Sequence, residues 1–445
     1  MNRETAEPEV TELPGPRARD RVAYHSSVAA DTTYVYDFVW DVTEPATGPF
    51  CTDADGNVLM DFTGQVGAAP LGYNHPDLEA RMAAFDLPDP GKIAGQDFYT
   101  TAGDPLDPEV PGPAELMDRL TEISDHYGLD TVFLSNSGAE AVENALKICY
   151  DAAGGGYAVT FEGAFHGRTL GALSLNRSKA KYRRDYPEIA GVHDAPYCRD
   201  AGCDPASCEC GFFAGGTSLL RRMLDPETGH VDPDEVAYLI LEPVQGEGGY
   251  HVPSDAFAGE VAAVCDRHDL RVIADEIQSG MGRTGEWWAS DHLPVDPDVI
   301  CAAKAARVGA TIADRDLFPD ERGRISSTWG AGDLVASMQG ALTIEVIRER
   351  NLLDNAAERG AQTMEVLADA DVPNVVDRRG RGLMLAVEFD TEARRDDVQA
   401  AALRRGLLTL GCGQKSLRLL PPLDVREREI DMGVELLADA AVAVA

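Results

Sequence analysis

Four polar features follow short apolar runs, and each offers a different chemistry. The run 131–134 leads into Ser135-Asn136-Ser137-Gly138-Ala139 and a helical pattern, so backbone N–H groups at a helix N-terminus are open to an anion. Later runs end in the carboxylates of Glu242 and Asp275, and a further run leads to the amine of Lys304. Taken singly, these features are typical of a helix cap, strand-end caps and a surface lysine.

Together, an anion site, a carboxylate and a lysine are what pyridoxal phosphate (PLP) requires. The helix N-terminus binds the phosphate, the carboxylate keeps the pyridine nitrogen protonated, and the lysine forms a Schiff base with the aldehyde. The three features follow one another along the chain at the ends of predicted strands. We therefore predict a PLP site that includes Ser137, Asp275 and Lys304.

The elements that must position these residues alternate between strand and helix patterns. Apolar runs recur at 131–134, 157–161, 237–241, 270–274 and 298–302, with helix-period segments such as 138–150 and 255–267 between them. This alternation predicts an α/β fold with a mostly parallel sheet flanked by helices, in which ligands bind at the carboxyl ends of the strands. We expect an N-terminal segment (1–75) that packs with the small domain, a large PLP-binding domain (76–333) with a cysteine-rich insertion (196–215), and a small α+β domain (334–445).

The net charge excludes some partners and indicates a solvent. With 76 acidic and 39 basic residues the formal charge is −37, which opposes binding to nucleic acid or to an anionic membrane. Only six of the 39 cations are lysines. Such an acidic surface predicts a high-salt cytoplasm, where screening over roughly 3 Å at molar ionic strength limits self-repulsion.

Several sequence features predict a soluble, cytoplasmic protein. No apolar run approaches the roughly 18 residues of a membrane span, and residues 1–20 have no signal-peptide core. The nine cysteines are mostly single residues in apolar segments, which is typical of buried thiols in a reducing compartment.

Four segments resemble the class III (ω) PLP-dependent aminotransferases of fold type I. They are Phe133–Lys147, Phe165-His166-Gly167-Arg168-Thr169, Glu242–Gly249 and Ala274–Gly285. Ser327-Thr328-Trp329-Gly330, Leu410-Gly411-Cys412-Gly413 and Ser416-Leu417-Arg418 are most similar to the L-lysine ε-aminotransferase branch. The ornithine and 4-aminobutyrate aminotransferases are nearly as similar.

The resemblance implies how the cofactor is bound. Ser137, Gly138 and Ala139 would hold the phosphate, with Thr328 reaching it from the neighbouring subunit, so activity would require a homodimer. Phe165 and Ile277 would cover the two faces of the ring, and His166 would also contact the cofactor. Asp275 would bind the pyridine nitrogen and Gln278 the ring hydroxyl. Lys304 would be the Schiff-base lysine and the proton carrier.

The resemblance also implies how substrates are bound. Arg168 and Arg418 would bind substrate carboxylates, and Glu242 would mask Arg418 while an ω-amine donor binds, then release it to 2-oxoglutarate. Arg418 interrupts an apolar run, where an unpaired charge is costly, so a carboxylate or a structural ion pair must satisfy it. For Arg168, an ordinary surface arginine is an equal alternative. We expect the donor to be selected near Gln65-Val66-Gly67 and Tyr73.

Two alternative functions fit parts of this pattern. A PLP-dependent amino-acid racemase would use the same residues, although a switch between Glu242 and Arg418 suits an enzyme that takes two unlike substrates. A non-catalytic PLP-binding module is disfavoured because every catalytic position is present. Gly280–Gly285 matches G-x-G-x-x-G but leads into Glu286-Trp287-Trp288 rather than a helix, so it does not predict a dinucleotide site.

Two segments depart from the family pattern. Most of the family has a glycine-rich turn after the Schiff-base lysine, whereas Lys304 is followed by Ala305-Ala306-Arg307-Val308-Gly309. The lysine-ε branch, which this chain resembles, also lacks the glycine-rich turn. Cys198, Cys203, Cys208 and Cys210 lie within one turn-rich insertion and could form a zinc site. Their spacing lacks paired C-x2-C motifs and no histidine completes a finger, so free thiols or a disulfide are alternatives. No metal ligand is therefore included among the predicted site residues.

Overall fold

In the computed structural model, the chain is described at residues 1–32, 36, 38–85, 95–97, 101, 103–200, 202–326, 328 and 330–445. It divides into two units. The larger is Ala80–Leu353, and the smaller joins the two chain ends, Met1–Glu79 and Asp354–Ala445. No helix of these residues is long and apolar enough to cross a membrane.

A seven-stranded sheet, counted over the described residues, forms the centre of the larger unit. Its strands are β1 (Thr131–Ser135), β2 (Tyr157–Phe161), β3 (Val192–Ala195), β4 (Val236–Leu241), β5 (Val272–Asp275), β6 (Val299–Ala302) and β7 (Gly309–Ala313). Their order across the sheet is β1-β7-β6-β5-β4-β2-β3, and β7 alone runs antiparallel to its neighbours. Sequence patterning did not predict β3 or β7.

Helices cover the sheet on both faces. They are α1 (Pro113–Glu122), α2 (Gly138–Ala153), α3 (Leu170–Leu175), α4 (Leu219–Met223), α5 (Asp255–His268) and α6 (Leu334–Glu349). Every residue of β4 is buried, as expected for a parallel strand covered on both faces. Ile240 belongs to a buried cluster with Val142 of α2, whereas its neighbour Leu239 belongs to one with Phe257 of α5. The predicted α/β class is confirmed.

Both ends of the chain contribute strands to the smaller unit. One sheet contains Phe50–Thr52, Val58–Asp61 and Leu407–Leu408, and the other has the order Val375–Arg381, Met384–Phe389, Ser416–Leu419, Leu410–Cys412. Its helices are Pro16–Val28, Gly64–Gly67, Glu392–Leu403 and Glu427–Val442; Pro76–Ala84 and Leu352–Asp369 cross the unit boundaries. Leu407 pairs in parallel with Met60, which ties the C-terminal segment to the N-terminal one.

The unit boundaries differ from those expected from the sequence. The larger unit ends at Leu353, whereas we placed the start of the small domain at residue 334. The difference is helix α6, which packs against α1 and against the turn at 304–306. Gly340 of α6 lies so close to that turn that an added Cβ would be 2.4 Å from the Ala306 carbonyl oxygen. Helical periodicity shows that α6 has an apolar face but not which unit that face contacts.

Candidate active site

The predicted polar residues lie at or just after the carboxyl ends of three neighbouring strands of the larger unit. Leu241 of β4 pairs with Ala274 of β5, and Asp275 pairs with Cys301 of β6. Glu242, Asp275 and Lys304 therefore project from the same, carboxyl-terminal edge of the sheet. That edge is where ligands bind in open parallel sheets.

The N-terminus of helix α2 forms the predicted anion site. Ser137 is the N-cap residue, and its Oγ accepts a hydrogen bond from the Glu140 N–H at 3.2 Å. Other N–H groups of the first turn have no partner within the helix. Ile277 lies directly over Gly138, where an added Cβ would be 2.7 Å from Ile277 Cδ1. The site is thus open at the backbone and bounded by an apolar side chain.

Strand β7 supports this anion site from beside it. Gly309 pairs with Ser135, and an added Cβ at Gly309 would lie 2.3 Å from both the Ser135 Oγ and the Ser137 carbonyl oxygen. The segment after Lys304 lacks the glycine-rich turn of the family, but it ends in Gly309, where the packing leaves no room for a side chain.

Substitution of this glycine is expected to distort the anion site. Gly309→Ala should lower the affinity for PLP at least about tenfold and the free energy of unfolding by about 1–3 kcal/mol, because the methyl group overpacks the segment 135–137. Gly259→Ala is the control, since its added Cβ would meet no atom within 4 Å and should stabilise helix α5 by about 0.5–1 kcal/mol. Cofactor titration and denaturant unfolding measure both effects; unchanged PLP affinity in Gly309→Ala would contradict this role.

A buried histidine–carboxylate pair lies at the end of β5. The His166 Nδ1 is 2.8 Å from the Asp275 Oδ2, and Asp275 Oδ1 accepts a hydrogen bond from the Ile277 N–H at 3.1 Å. Both side chains are buried. Within the described part of the chain, His166 Nε2 is buried without a hydrogen-bond partner. A carboxylate fixed in this way is suited to bind a protonated ring nitrogen.

Glu242 is a second buried carboxylate at the same edge. Its Oε1 accepts a hydrogen bond from the Phe165 N–H at 2.9 Å, and its Oε2 accepts one from the Gly246 N–H at 2.8 Å. Burial raises its pKa to about 7, and the nearby Asp275 carboxylate adds to the increase, opposed by His166 and the two N–H groups. Glu242 can therefore change charge near neutral pH.

The raised pKa predicts a pH-dependent stability. The folded protein binds this proton more tightly than the unfolded chain, so the stabilisation is complete below the ordinary pKa of 4.5 and is lost as the pH rises through about 7. Relative to Glu242→Gln, the wild-type free energy of unfolding should fall by up to about 3 kcal/mol between about pH 5 and pH 8. Denaturant unfolding of the cofactor-free proteins measures it, and a constant difference would refute the prediction.

Lys304 has an unusual backbone conformation. It follows β6 with φ = 42°, in the left-handed region that a lysine rarely adopts. Its carbonyl oxygen accepts a hydrogen bond from the Arg307 N–H at 2.9 Å, which closes a tight turn. Backbone conformations of this kind cost of order 1–3 kcal/mol and cluster at functional sites.

The remaining predicted residues of the larger unit surround these groups. The Phe165 ring is 5.7 Å from the ring of Tyr182, over which the guanidinium of the exposed Arg168 lies at 4.9 Å. Gln278 lies beside Gly246, where an added Cβ would be 2.6 Å from Gln278 Oε1.

Thr328 lies beside the anion site of its own chain. Its Oγ1 accepts a hydrogen bond from the Asn136 Nδ2 at 2.7 Å. Its neighbours Ser327 and Trp329 in the quoted motif lie outside the described residues. That Thr328 reaches the phosphate of a neighbouring subunit stays a prediction.

Arg418 belongs to the smaller unit. It lies in the strand Ser416–Leu419, opposite Ala386 and Leu410, and its side chain is buried. Its Nη2 donates a hydrogen bond to the Gly411 carbonyl oxygen at 2.8 Å. Its expected pairing with Glu242 stays a prediction.

Sequence reasoning missed two residues that support the site. The buried Asn176 accepts a hydrogen bond from the His166 N–H at 2.7 Å and donates one to the Gly167 carbonyl oxygen at 2.8 Å. Tyr182 supports Arg168 through the ring contact described above. The only signal for Asn176 is a polar residue that ends an apolar helical run, which is also typical of an ordinary helix end.

The site and the fold agree with one known family. The pattern of the class-III aminotransferases matches residues 35–441. The chain belongs to this family. An acetylornithine aminotransferase of Methanosarcina acetivorans is 32% identical over 438 residues, which cover 97% of this chain and 99% of the relative. An alanine/serine racemase of Pyrococcus horikoshii is 30% identical over 454 residues, covering 97% and 92%.

Solved structures of other aminotransferases have the same fold. A lysine aminotransferase of M. tuberculosis superposes with a TM-score of 0.81 at 29% identity, covering 96% of this chain and 99% of that one. An ornithine aminotransferase of Toxoplasma gondii gives a TM-score of 0.79 at 25% identity, covering 96% and 95%. The expected PLP-dependent fold type I is confirmed.

Class-III aminotransferases use PLP, and the residues of this chain fit it. The open helix N-terminus beneath Ile277 suits the phosphate, and the buried carboxylate of Asp275 suits the ring nitrogen. His166 Nε2 is a buried polar atom that lacks a partner among the described residues, as expected beside a group that binds here. The predicted cofactor is thereby confirmed, and the roles of the individual residues stay predictions.

Proposed function

We propose that this aminotransferase takes the terminal amino group of a lysine-, ornithine- or 4-aminobutyrate-type donor and transfers it to 2-oxoglutarate. The observation that carries the proposal is Glu242, a buried carboxylate that forms no ion pair among the described residues of its unit. A carboxylate that can still receive a cation suits a site that accepts two unlike substrates in turn. Relatives named as 4-aminobutyrate, putrescine and lysine aminotransferases support a terminal-amine donor.

Each residue at the strand ends has a distinct task. When bound, PLP supplies an electron sink that stabilises negative charge on the substrate carbon. Asp275 would hold the proton on the ring nitrogen, Phe165 and Ile277 would cover the ring faces, and Ser137 begins the helix that would bind the phosphate. The Nζ of Lys304 would hold the cofactor at its aldehyde, and the same amine would carry a proton to and from the substrate carbon.

Arginines are proposed to bind the substrate carboxylates. The guanidinium of Arg168 is exposed, supported by Tyr182, and forms no ion pair within the described part of the chain. Arg418 is proposed as the second carboxylate-binding arginine, and Glu242 as the group that masks it while the donor binds. Donor choice is proposed to depend on the segment Gln65-Val66-Gly67 and on Tyr73. Gln65 and Val66 adopt left-handed backbone conformations that non-glycine residues rarely hold.

The proposal extends to assembly and environment. We propose a homodimer in which Thr328 serves the neighbouring subunit, and a cytoplasm of high salt concentration. The charge of −37 supports the latter, because concentrated salt screens the repulsion between two such subunits.

An amino-acid racemase is the second candidate. It is favoured by the similarity over nearly the whole chain to the alanine/serine racemase of Pyrococcus horikoshii. A racemase returns the proton to the substrate carbon and needs no second substrate.

One experiment distinguishes the two. The holoenzyme in high salt is mixed with L-lysine, L-ornithine, 4-aminobutyrate or a neutral L-amino acid, each with and without 2-oxoglutarate, and glutamate and optical rotation are followed. The proposal predicts glutamate from a terminal-amine donor and no loss of rotation without 2-oxoglutarate. Loss of rotation without glutamate would establish the racemase instead.

A further inference from the structure

We propose that Cys198, Cys203, Cys208 and Cys210 bind one structural Zn²⁺ ion. The four side chains converge in the insertion that follows β3, where their sulfur atoms all lie within 4.8 Å of one another. None of the four is in a disulfide. Their spacing is C-x4-C-x4-C-x-C, so ligands that are poorly spaced along the sequence are brought together by the fold.

The four sulfur atoms lie close enough together to share one tetrahedral ion. A Zn–S bond of about 2.3 Å places the sulfurs of a tetrahedron about 3.8 Å apart. The Sγ atoms of Cys198 and Cys208 are 3.8 Å apart, and those of Cys208 and Cys210 are 2.7 Å apart. Both separations exceed the disulfide bond length of about 2.05 Å. The first separation equals that of a tetrahedral site, and the second is about 1 Å shorter, so the sulfurs of Cys208 and Cys210 would move apart on binding the ion.

The donor set selects the metal. Four thiolates form a soft, closed site, which favours zinc over magnesium or calcium and leaves no open position for a substrate. The Cys210 N–H also donates to the Cys208 Sγ at 3.4 Å, the kind of supporting hydrogen bond that orients a metal ligand. We therefore assign the ion a structural role.

The ion would stiffen a segment that contacts the end of β4. Cys198 is fully buried, and its carbonyl oxygen accepts a hydrogen bond from the N–H of Ser254, the N-cap residue of α5. The preceding residue, Tyr197, places its hydroxyl 3.4 Å from the Glu242 carbonyl oxygen. The following residue, Arg199, contacts the ring of His251 at 2.9 Å. Zinc would thus fix a loop whose first residues support the backbone at Glu242.

Metal analysis of the holoenzyme tests the assignment directly. Protein purified from zinc-supplemented cultures, in high salt and without chelators, is analysed by plasma emission for zinc, iron and copper. We expect about one zinc per chain. Less than about 0.1 zinc per chain, iron as the stoichiometric metal, or an intact mass that shows oxidised cysteine pairs would overturn the proposal.

A matched pair of variants ties the metal to these residues. Cys208→Ser should lower the zinc content at least about tenfold, whereas Cys265→Ala, which removes a buried thiol of helix α5, should retain it. Replacing zinc by Co²⁺ in the wild type should give the intense thiolate charge-transfer bands of a four-sulfur site, which does not depend on any variant folding. Full zinc in Cys208→Ser, or cobalt bands without thiolate character, would refute the site.

Discussion

Replacing Lys304 by alanine is expected to reduce the turnover number at least about a thousandfold, because the chain loses both its attachment to the cofactor and its proton carrier. Borohydride reduction of the wild type should leave the cofactor attached to the peptide that contains Lys304, and the same treatment of Lys304→Ala should leave none. Lys304 is the lysine that follows β6, next to the strand that ends in Asp275.

Lys147→Ala is the control for this result. Lys147 is an exposed lysine of helix α2, within the element that forms the anion site but pointing away from the core. The Lys147→Ala variant should retain full activity, and borohydride reduction should still attach the cofactor to Lys304. A cofactor label on another lysine, or activity of Lys304→Ala within about tenfold of the wild type, would contradict the assignment.

Replacing Asp275 by asparagine is expected to lower the turnover number by about 10²–10³-fold while changing the KM for the donor little. The amide cannot hold a proton on the ring nitrogen by charge, so the electron sink weakens in the transition state rather than in the bound substrate. The hydrogen bond with His166 at 2.8 Å is also altered, and the free energy of unfolding should fall by about 1–3 kcal/mol.

Asp298→Asn separates the two effects. Asp298 is an exposed carboxylate just before β6, and its Oδ2 accepts a hydrogen bond from the N–H of Val272, the first residue of β5, at 2.7 Å. Its substitution should reduce stability while leaving the turnover number within about threefold of the wild type, because it is remote from the carboxyl end of β5. Equal losses of turnover in both variants would show that Asp275 acts only through stability.

The strand ends that carry the site could be predicted because the buried strands are continuous apolar runs. Asp275 and Lys304 are recognisable as the polar residues at or after such runs. That β4, β5 and β6 are adjacent depends on the strand order, which periodicity does not specify. Strand β7 was missed because its sequence, Gly309-Ala-Thr-Ile-Ala, consists mostly of small residues and is only weakly apolar.

Contacts between distant residues could not be predicted in the same way. The hydrogen bond between His166 and Asp275 joins residues 109 positions apart, and the thiols of the insertion converge only through the fold. The expected domain boundary at residue 334 followed from a change in pattern, whereas the structure places helix α6 with the larger unit. Local patterns define elements, and packing decides which of them belong together.

The most direct test of the proposed function follows a nitrogen atom. The holoenzyme is incubated in high salt with 2-oxoglutarate and L-lysine or L-ornithine labelled with ¹⁵N at either the terminal or the α position, and the label in glutamate is measured by mass spectrometry. Transfer of a terminal amine predicts labelled glutamate from the terminally labelled donor and unlabelled glutamate from the α-labelled one. Label that arrives only from the α position, or none from either donor while optical rotation is lost, would contradict it.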